Sequence, residues 1–291
     1  MEKKPLVVVN GLVRKDAIAY LKEHVDVRQW TEKTVMPRET LKEWLVDADG
    51  LWCVRPLDVD GDLVKNAPNL KVIAQAAVGY DNVKIDELTA AGIPYGNTPG
   101  VLNETVAELA FTLIATASRR ILENANFVKE GRWAQRPSNI KGFDLSRRTL
   151  GIIGMGAIGV SISRRARAFG MTVVYHNRNQ RIDDKIHKTT YMELDDLLAT
   201  SDVVCVMAPL TDETYHMCDE AFFKKMKNTA LFVNVGRGPI VDTDALINAL
   251  KTGEIDYAAL DVTDPEPLPA DHPLLDVENC LIAVSYTHLT L

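Results

Sequence analysis

The chain runs to 291 residues, 46% of them apolar and 25% charged, with a net charge of −7 at neutral pH. That length holds one large or two ordinary domains, and the composition is that of an ordinary soluble globular protein. The acidic balance argues against nucleic-acid or anionic-membrane surfaces, no apolar run approaches the ~20 residues of a membrane span, and no signal-peptide segment follows Met1-Glu2-Lys3-Lys4.

Strand-like runs at Leu6–Val9, Val25–Val27, Gly50–Val54, Leu70–Ala76 and Ile93–Gly96 alternate with helical spacing at Arg14–Glu23, Arg38–Asp47 and Val83–Ala91. That order predicts a parallel sheet with crossover helices. The fourth strand runs into Ala77-Val78-Gly79-Tyr80-Asp81-Asn82, and ligands of such sheets bind beyond the carboxyl ends of the strands. Val78-Gly79 can therefore offer backbone amides to an anion, although a plain strand-to-helix turn reads the same way. Arg55, past the third strand, is a second anion candidate or simply a solvated charge.

Asn97-Thr98-Pro99-Gly100 punctuates the chain, with Asn103 or Thr105 available to cap an apolar helix from Ala107 to Ile121. The first domain is expected to end here, at residue 98. The polar stretch Glu130 to Arg147 then reads as a loose loop or as an oligomer arm with Trp133 as its anchor. Cys53, Cys205, Cys218 and Cys280 lack C-x-x-C spacing, and three lie in apolar runs. They read as reduced core thiols of a cytoplasmic protein, and no metal site is expected.

The stretch from Gly151 to Gly159 holds Gly154-x-Gly156-x-x-Gly159, with a strand from Arg148 to Ile153 before it and a helix from Ala157 to Phe169 after it. In a dinucleotide-binding turn the first glycine allows the bend, the second admits the pyrophosphate, and the third lets helix pack on strand. The phosphates sit on the amides of the helix N-terminus, where the dipole favours negative charge. An α/β crossover that binds nothing would share this punctuation. The next strand, Met171–Tyr175, is followed by His176-Asn177-Arg178-Asn179-Gln180-Arg181. An NAD site usually has an acid there for the ribose hydroxyls. Two arginines stand there instead, and arginine suits a 2′-phosphate that an acid would repel. NADP is thus preferred over NAD, the plain alternative being a basic surface loop.

Strands follow at Asp202–Met207, Ala230–Asn234 and Tyr257–Val262, with a helix at Asp242–Thr252. Arg237, in Val235-Gly236-Arg237-Gly238, falls at the ligand edge and can pair bidentately with a carboxylate. Asp261 and Glu266 lie near another strand end, where a lone carboxylate is usually just solvated.

Gly154-x-Gly156-x-x-Gly159, Val235-Gly236-Arg237-Gly238, Ala259-Leu260-Asp261-Val262 and Pro265-Glu266-Pro267-Leu268-Pro269 together resemble the D-isomer-specific 2-hydroxyacid dehydrogenases, above all their glyoxylate/hydroxypyruvate reductases. The resemblance covers about Leu6 to Ile282. It implies two doubly wound parallel-sheet domains: a flavodoxin-like substrate domain (1–98) and a Rossmann-type cofactor domain (99–282). It also implies a homodimer that reduces a small 2-oxo acid to the D-2-hydroxy acid with NADPH. Arg237 would bind the substrate's carboxylate and carbonyl, Val78-Gly79 its carboxylate, and Glu266 would orient a catalytic histidine. Asp261 would touch the nicotinamide amide and Arg178 the 2′-phosphate. Thr105, Ala157, Ile158, Asn177, Arg181, Ala208, Pro209 and Val235 would complete the cofactor set.

The family's histidine follows a proline, just after a strand like Asn279–Ile282; here that pair falls on Val284-Ser285, and His288 lies three residues later. Val284–Leu291 is identical to one translation frame of a widely used sequencing-library transposon adapter. The native frame is therefore expected to end near Ile282 or Ala283, leaving 283–291 as a non-native tail, the returning helix of the substrate domain missing, and activity impaired. Within the class, 2-ketogluconate reduction and phosphoglycerate oxidation are alternatives, the latter disfavoured by the missing acid. A corepressor-like nucleotide-sensing module is disfavoured by the joint presence of Arg237 and Glu266.

Overall fold

The runs Leu6–Val9 (β1), Asp26–Gln29 (β2), Gly50–Cys53 (β3), Val72–Gln75 (β4) and Tyr95–Gly96 (β5) form a parallel sheet in the order β2-β1-β3-β4-β5. This is the computed structural model of the chain; it describes residues 4–54, 57–135 and 140–283. The sheet belongs to the first of two compact units, Met1–Val101, the second being Leu102–Leu291. Val8 pairs in register with Leu51, and Leu51 with Ile73. Side chains alternate across a strand, so these three line one face. They are buried there with Leu41, Leu45, Leu63 and Leu88 from the helices Arg38–Leu45, Gly61–Lys65 and Ile85–Ala90. Gly61–Lys65 escapes periodicity because it has only five residues; Asp60 caps it by accepting from the Leu63 amide.

In the second unit the strands are Thr149–Ile153 (β6), Thr172–His176 (β7), Thr190–Tyr191 (β8), Val203–Val206 (β9), Leu231–Asn234 (β10), Tyr257–Leu260 (β11) and Cys280–Ile282 (β12). All pairings are parallel, in the order β12-β11-β10-β9-β6-β7-β8. β9, β10 and β11 are buried at every residue. That is why they read as continuous apolar runs: both sheet faces carry helices. Val204, Val206, Phe232 and Leu260 enter one core with Phe222, Phe223 and Leu246. Their neighbours Val203, Cys205, Val233 and Ala259 enter the other, against Ala107, Ala110, Ile114 and Ile162 of the helices Asn103–Ser118 and Ala157–Ala168.

One expected helix is corrected. The apolar pattern from Ala107 to Ile121 is not one helix but parts of two, Asn103–Ser118 and Ile121–Lys129. The break is Arg120, left-handed at φ 53°, whose guanidinium lies 4.4 Å from the centre of the Tyr257 ring. A non-glycine residue pays for that conformation, and a cation over an aromatic face offsets part of it. Past Lys129, Trp133–Gln135 make a single 3₁₀ turn, with Trp133 74% exposed.

Cys53, Cys205 and Cys218 are buried and Cys280 half-buried, all as free thiols. Burial pushes Cys53 and Cys205 up to about 12, so both stay protonated at neutral pH. Among the described residues no helix is long and apolar enough to cross a membrane.

Candidate active site

The chain leaves β6 for β7 and β8 on one side, then returns to place β9 on the other. Such a reversal opens a crevice at the carboxyl ends of the two central strands. Gly154 lies in it with φ +99°, and a Cβ there would come within 2.6 Å of the Ala208 nitrogen. A Cβ on Gly159 would come within 2.9 Å of the Gly154 carbonyl oxygen. Both glycines are required by close packing. Gly156 is different: a Cβ built on it meets nothing within 4 Å. The helix Ala157–Ala168 that follows has no side-chain cap. Open space over uncapped amides at the N-terminus of a long helix fits a pyrophosphate. Ala157 and Ile158 supply the first helical amides. Thr105 lies in the first turn of the neighbouring helix, whose Glu104 accepts from Ser161 Oγ at 2.7 Å and Arg165 at 3.0 Å.

Beyond β7, Asn177 holds the Met155 peptide: its Oδ1 accepts from the Met155 amide at 2.6 Å. Arg178 is exposed. Arg181 is engaged, donating from Nε and Nη2 to the two oxygens of Asp183 at 2.7 and 2.6 Å and from Nη1 to the Met155 carbonyl at 2.9 Å. That pairing holds the Asp183 carboxyl down to about 2, with His187 adding to it. The turn is therefore not free of acids in space, although none directly follows the strand. Glu213, brought in by the loop after β9, also titrates low, chiefly because the Thr211 hydroxyl donates to it and in smaller part because of Arg178's charge.

Ala208 and Pro209 follow β9, and Pro209 offers its carbonyl to Thr214 Oγ1 at 2.7 Å. After β10, the fully buried Asn234 shapes the loop from Val235 to Gly238. Its Oδ1 accepts from the Gly236 amide at 3.0 Å, and its Nδ2 donates to the Arg237 carbonyl at 2.9 Å. A Cβ on Gly238 would overlap the Thr263 carbonyl, which closes this loop on the one after β11. Arg237 is half-buried and donates to the Gly236 carbonyl at 2.9 Å. Asp261, 2% exposed, donates its amide to Asn234 at 2.9 Å. Glu266 is exposed on a loop anchored by Thr243 Oγ1 to the Asp264 carbonyl and Thr263 Oγ1 to the Pro265 carbonyl, both 2.9 Å. Gly154, Ala208, Gly236 and Asp261 thus sit along the carboxyl ends of neighbouring strands in one sheet. Asn234, Tyr175, Met155 and Asp183 escaped the sequence reading; an asparagine ending a strand before Gly-x-Gly was the one available signal.

In the first unit the turn after β4 is held by its carbonyls. Thr98 N–H donates to Ala77 at 3.0 Å, Asn97 Nδ2 to Val78 at 2.8 Å and Gln75 Nε2 to Gly79 at 2.8 Å. In a trans peptide the N–H points opposite to the carbonyl, so the amides of Val78, Gly79 and Tyr80 are aimed away from this scaffold. Arg55, and Val284, Ser285 and His288, lie outside the described residues.

Fold and site together define the class: an α/β protein whose second unit has the glycine turn and crevice of a dinucleotide-binding sheet. Residues 111–284 match the D-isomer specific 2-hydroxyacid dehydrogenase, NAD binding domain family. A glyoxylate reductase of Korarchaeum cryptofilum is 42% identical over 283 residues, 96% of this chain and 85% of that protein. The crystal structure of a glyoxylate reductase from Paecilomyes thermophila superposes with a TM-score of 0.89 at 30% identity, over 99% of this chain and 89% of that one. The crystal structure of an NADPH-dependent glyoxylate/hydroxypyruvate reductase from Sinorhizobium meliloti, in complex with NADP and malonate, gives 0.88 at 28%, over 99% and 88%. The chain belongs to the D-isomer-specific 2-hydroxyacid dehydrogenase family.

Proposed function

We propose that this protein reduces glyoxylate and hydroxypyruvate to the corresponding hydroxy acids with NADPH. The observation that carries the reading is Arg237, half-buried on a loop that Asn234 and Gly238 fix beside the cofactor's strand ends. When bound, the nicotinamide supplies a hydride to the keto carbon. Arg237 holds the substrate carboxylate and draws charge from the ketone oxygen as it becomes an alkoxide. In the first unit, the outward amides of Val78 and Gly79 can bind an anion such as a carboxylate. Arg178 reads the 2′-phosphate, Asp261 meets the carboxamide, and Thr105, Ala208, Pro209 and Val235 line the dinucleotide. Glu266 would orient a proton donor at the family's histidine position, which Ser285 occupies here. With Val284-Ser285 at the family's Pro-His position, the 291-residue chain binds NADPH but turns over slowly, and His288→Ala leaves its residual rate unchanged.

The test is binding, which does not depend on turnover. Arg237→Ala is expected to leave NADPH affinity nearly intact while weakening oxalate, a 2-oxo acid mimic, for the NADPH complex by roughly tenfold or more. Unchanged oxalate affinity in a fluorescence titration would place the carboxylate elsewhere, with Arg55 the next residue to vary.

A further inference from the structure

We propose that Arg181 is a positioning residue for the glycine turn, fixing the Met155 peptide together with Asn177, while Arg178 alone reads the 2′-phosphate. The inference deepens the NADPH reading above and rests on it. Met155 stands between the two glycines that shape the pyrophosphate cradle, and it is held from both ends. Its N–H donates to Asn177 Oδ1 at 2.6 Å; its carbonyl accepts from Arg181 Nη1 at 2.9 Å and Asn177 Nδ2 at 3.4 Å. Peptide groups are planar, so fixing both sides of Met155 sets the plane that enters Gly156 and, through it, the amides that open the helix.

Arg181 can do this because it is itself fixed. Asp183 takes two of its N–H groups in a fork, and His187 Nε2 lies 3.0 Å from the same carboxylate. The Arg181 amide donates to Tyr175 Oη at 2.8 Å, and the Tyr175 hydroxyl donates to Asp184. Tyr175 is fully buried, so the brace runs back into the core. A guanidinium whose charge is already matched by a bidentate carboxylate is a poor receptor for a phosphate dianion and a good strut. Arg178 is the exposed member of the pair.

The two roles predict different ligand patterns. NADPH, NADH, ADP-ribose and adenosine would be titrated against the 291-residue chain and its R181M, D183N and R178A variants, with thermal melts alongside. A strut predicts that R181M weakens NADPH, NADH and ADP-ribose by one common factor, roughly three- to tenfold, the scale of a lost hydrogen bond. Adenosine, which lacks the pyrophosphate, should be unaffected. D183N leaves the arginine's charge in place and loosens its fork, so it should also weaken NADPH and NADH together. If Arg181 read the phosphate, removing Asp183's charge would tighten NADPH alone. Selective loss of NADPH in R181M, selective tightening in D183N, equal weakening of adenosine, or no change in either variant overturns the proposal. Should R181M fail to fold, the sign of the D183N effect decides. R178A tests the parent reading separately: an unchanged NADPH-to-NADH ratio there would refute Arg178 as the phosphate reader without touching the common-factor result.

Discussion

Gly154 and Gly156 are two residues apart and serve different ends. Gly154 has a left-handed φ of +99° and no room for a Cβ against Met207 and Ala208. Gly154→Ala should therefore cost about 2–4 kcal/mol of stability, through strain and overpacking. Gly156 has extended backbone and an open Cβ position. Gly156→Ala should change stability by less than about 1 kcal/mol yet weaken NADPH at least roughly tenfold, because its methyl group takes space the pyrophosphate needs. Urea melts and cofactor titration on both variants separate the two; intact NADPH affinity in Gly156→Ala would remove the pyrophosphate from this turn. The glycine spacing was legible in the sequence, but which glycine serves the fold and which the ligand depends on Ala208, far along the chain. The same holds for the arginines: Arg178 and Arg181 look equivalent in sequence, and Asp183 distinguishes them.

The strands of the second unit are tied together at their amino ends as well as through their ladders. Asp202, just before β9, accepts from the Thr149 amide of β6 at 2.9 Å, from Lys227 at 3.1 Å and from Arg148 at 3.3 Å. Burial raises its pKa, but the Thr149 amide, Lys227 and Arg148 lower it more, and it ends below its ordinary 3.8. A carboxyl with a depressed folded pKa contributes stability that is fully present above the unfolded value and is lost as pH falls through the folded one. Asp202→Asn should thus cost roughly 1–3 kcal/mol at pH 6, and the gap to wild type should close as pH drops below 3.8. Urea melts across that range check it; a gap independent of pH would mean the amide keeps the contacts and only packing was lost. Element boundaries were legible where burial on both faces made a strand uniformly apolar, as in Val203–Val206. They were not legible at Arg120, where an aromatic ring from β11 stabilises a left-handed turn that the local pattern does not announce.

At the scale of the whole molecule, Ile121, Leu122, Val128 and Trp133 are 51%, 45%, 47% and 74% exposed on one stretch of the second unit. Exposed apolar side chains close together along the chain suit a partner surface, and tryptophan is enriched among the anchors of such surfaces. The homodimer that the family resemblance implies would use this stretch, and Trp133→Ser should raise its dissociation constant by roughly thirtyfold, about 2 kcal/mol. Sedimentation equilibrium measures this; a monomeric wild-type chain at micromolar concentration would refute the homodimer. The sequence by itself determined the alternation of strand and helix, the glycine turn, the arginine loop and the family, because each is written in residues close together along the chain. Only the tertiary structure decided the strand order that opens the crevice between β6 and β9 and the clamp on Met155 by Asn177 and Arg181. It also decided the aim of the Val78 and Gly79 amides, set by Thr98, Asn97 and Gln75. These depend on hydrogen bonds and packing between residues that the chain's folding brings together, and no local pattern of side chains encodes them.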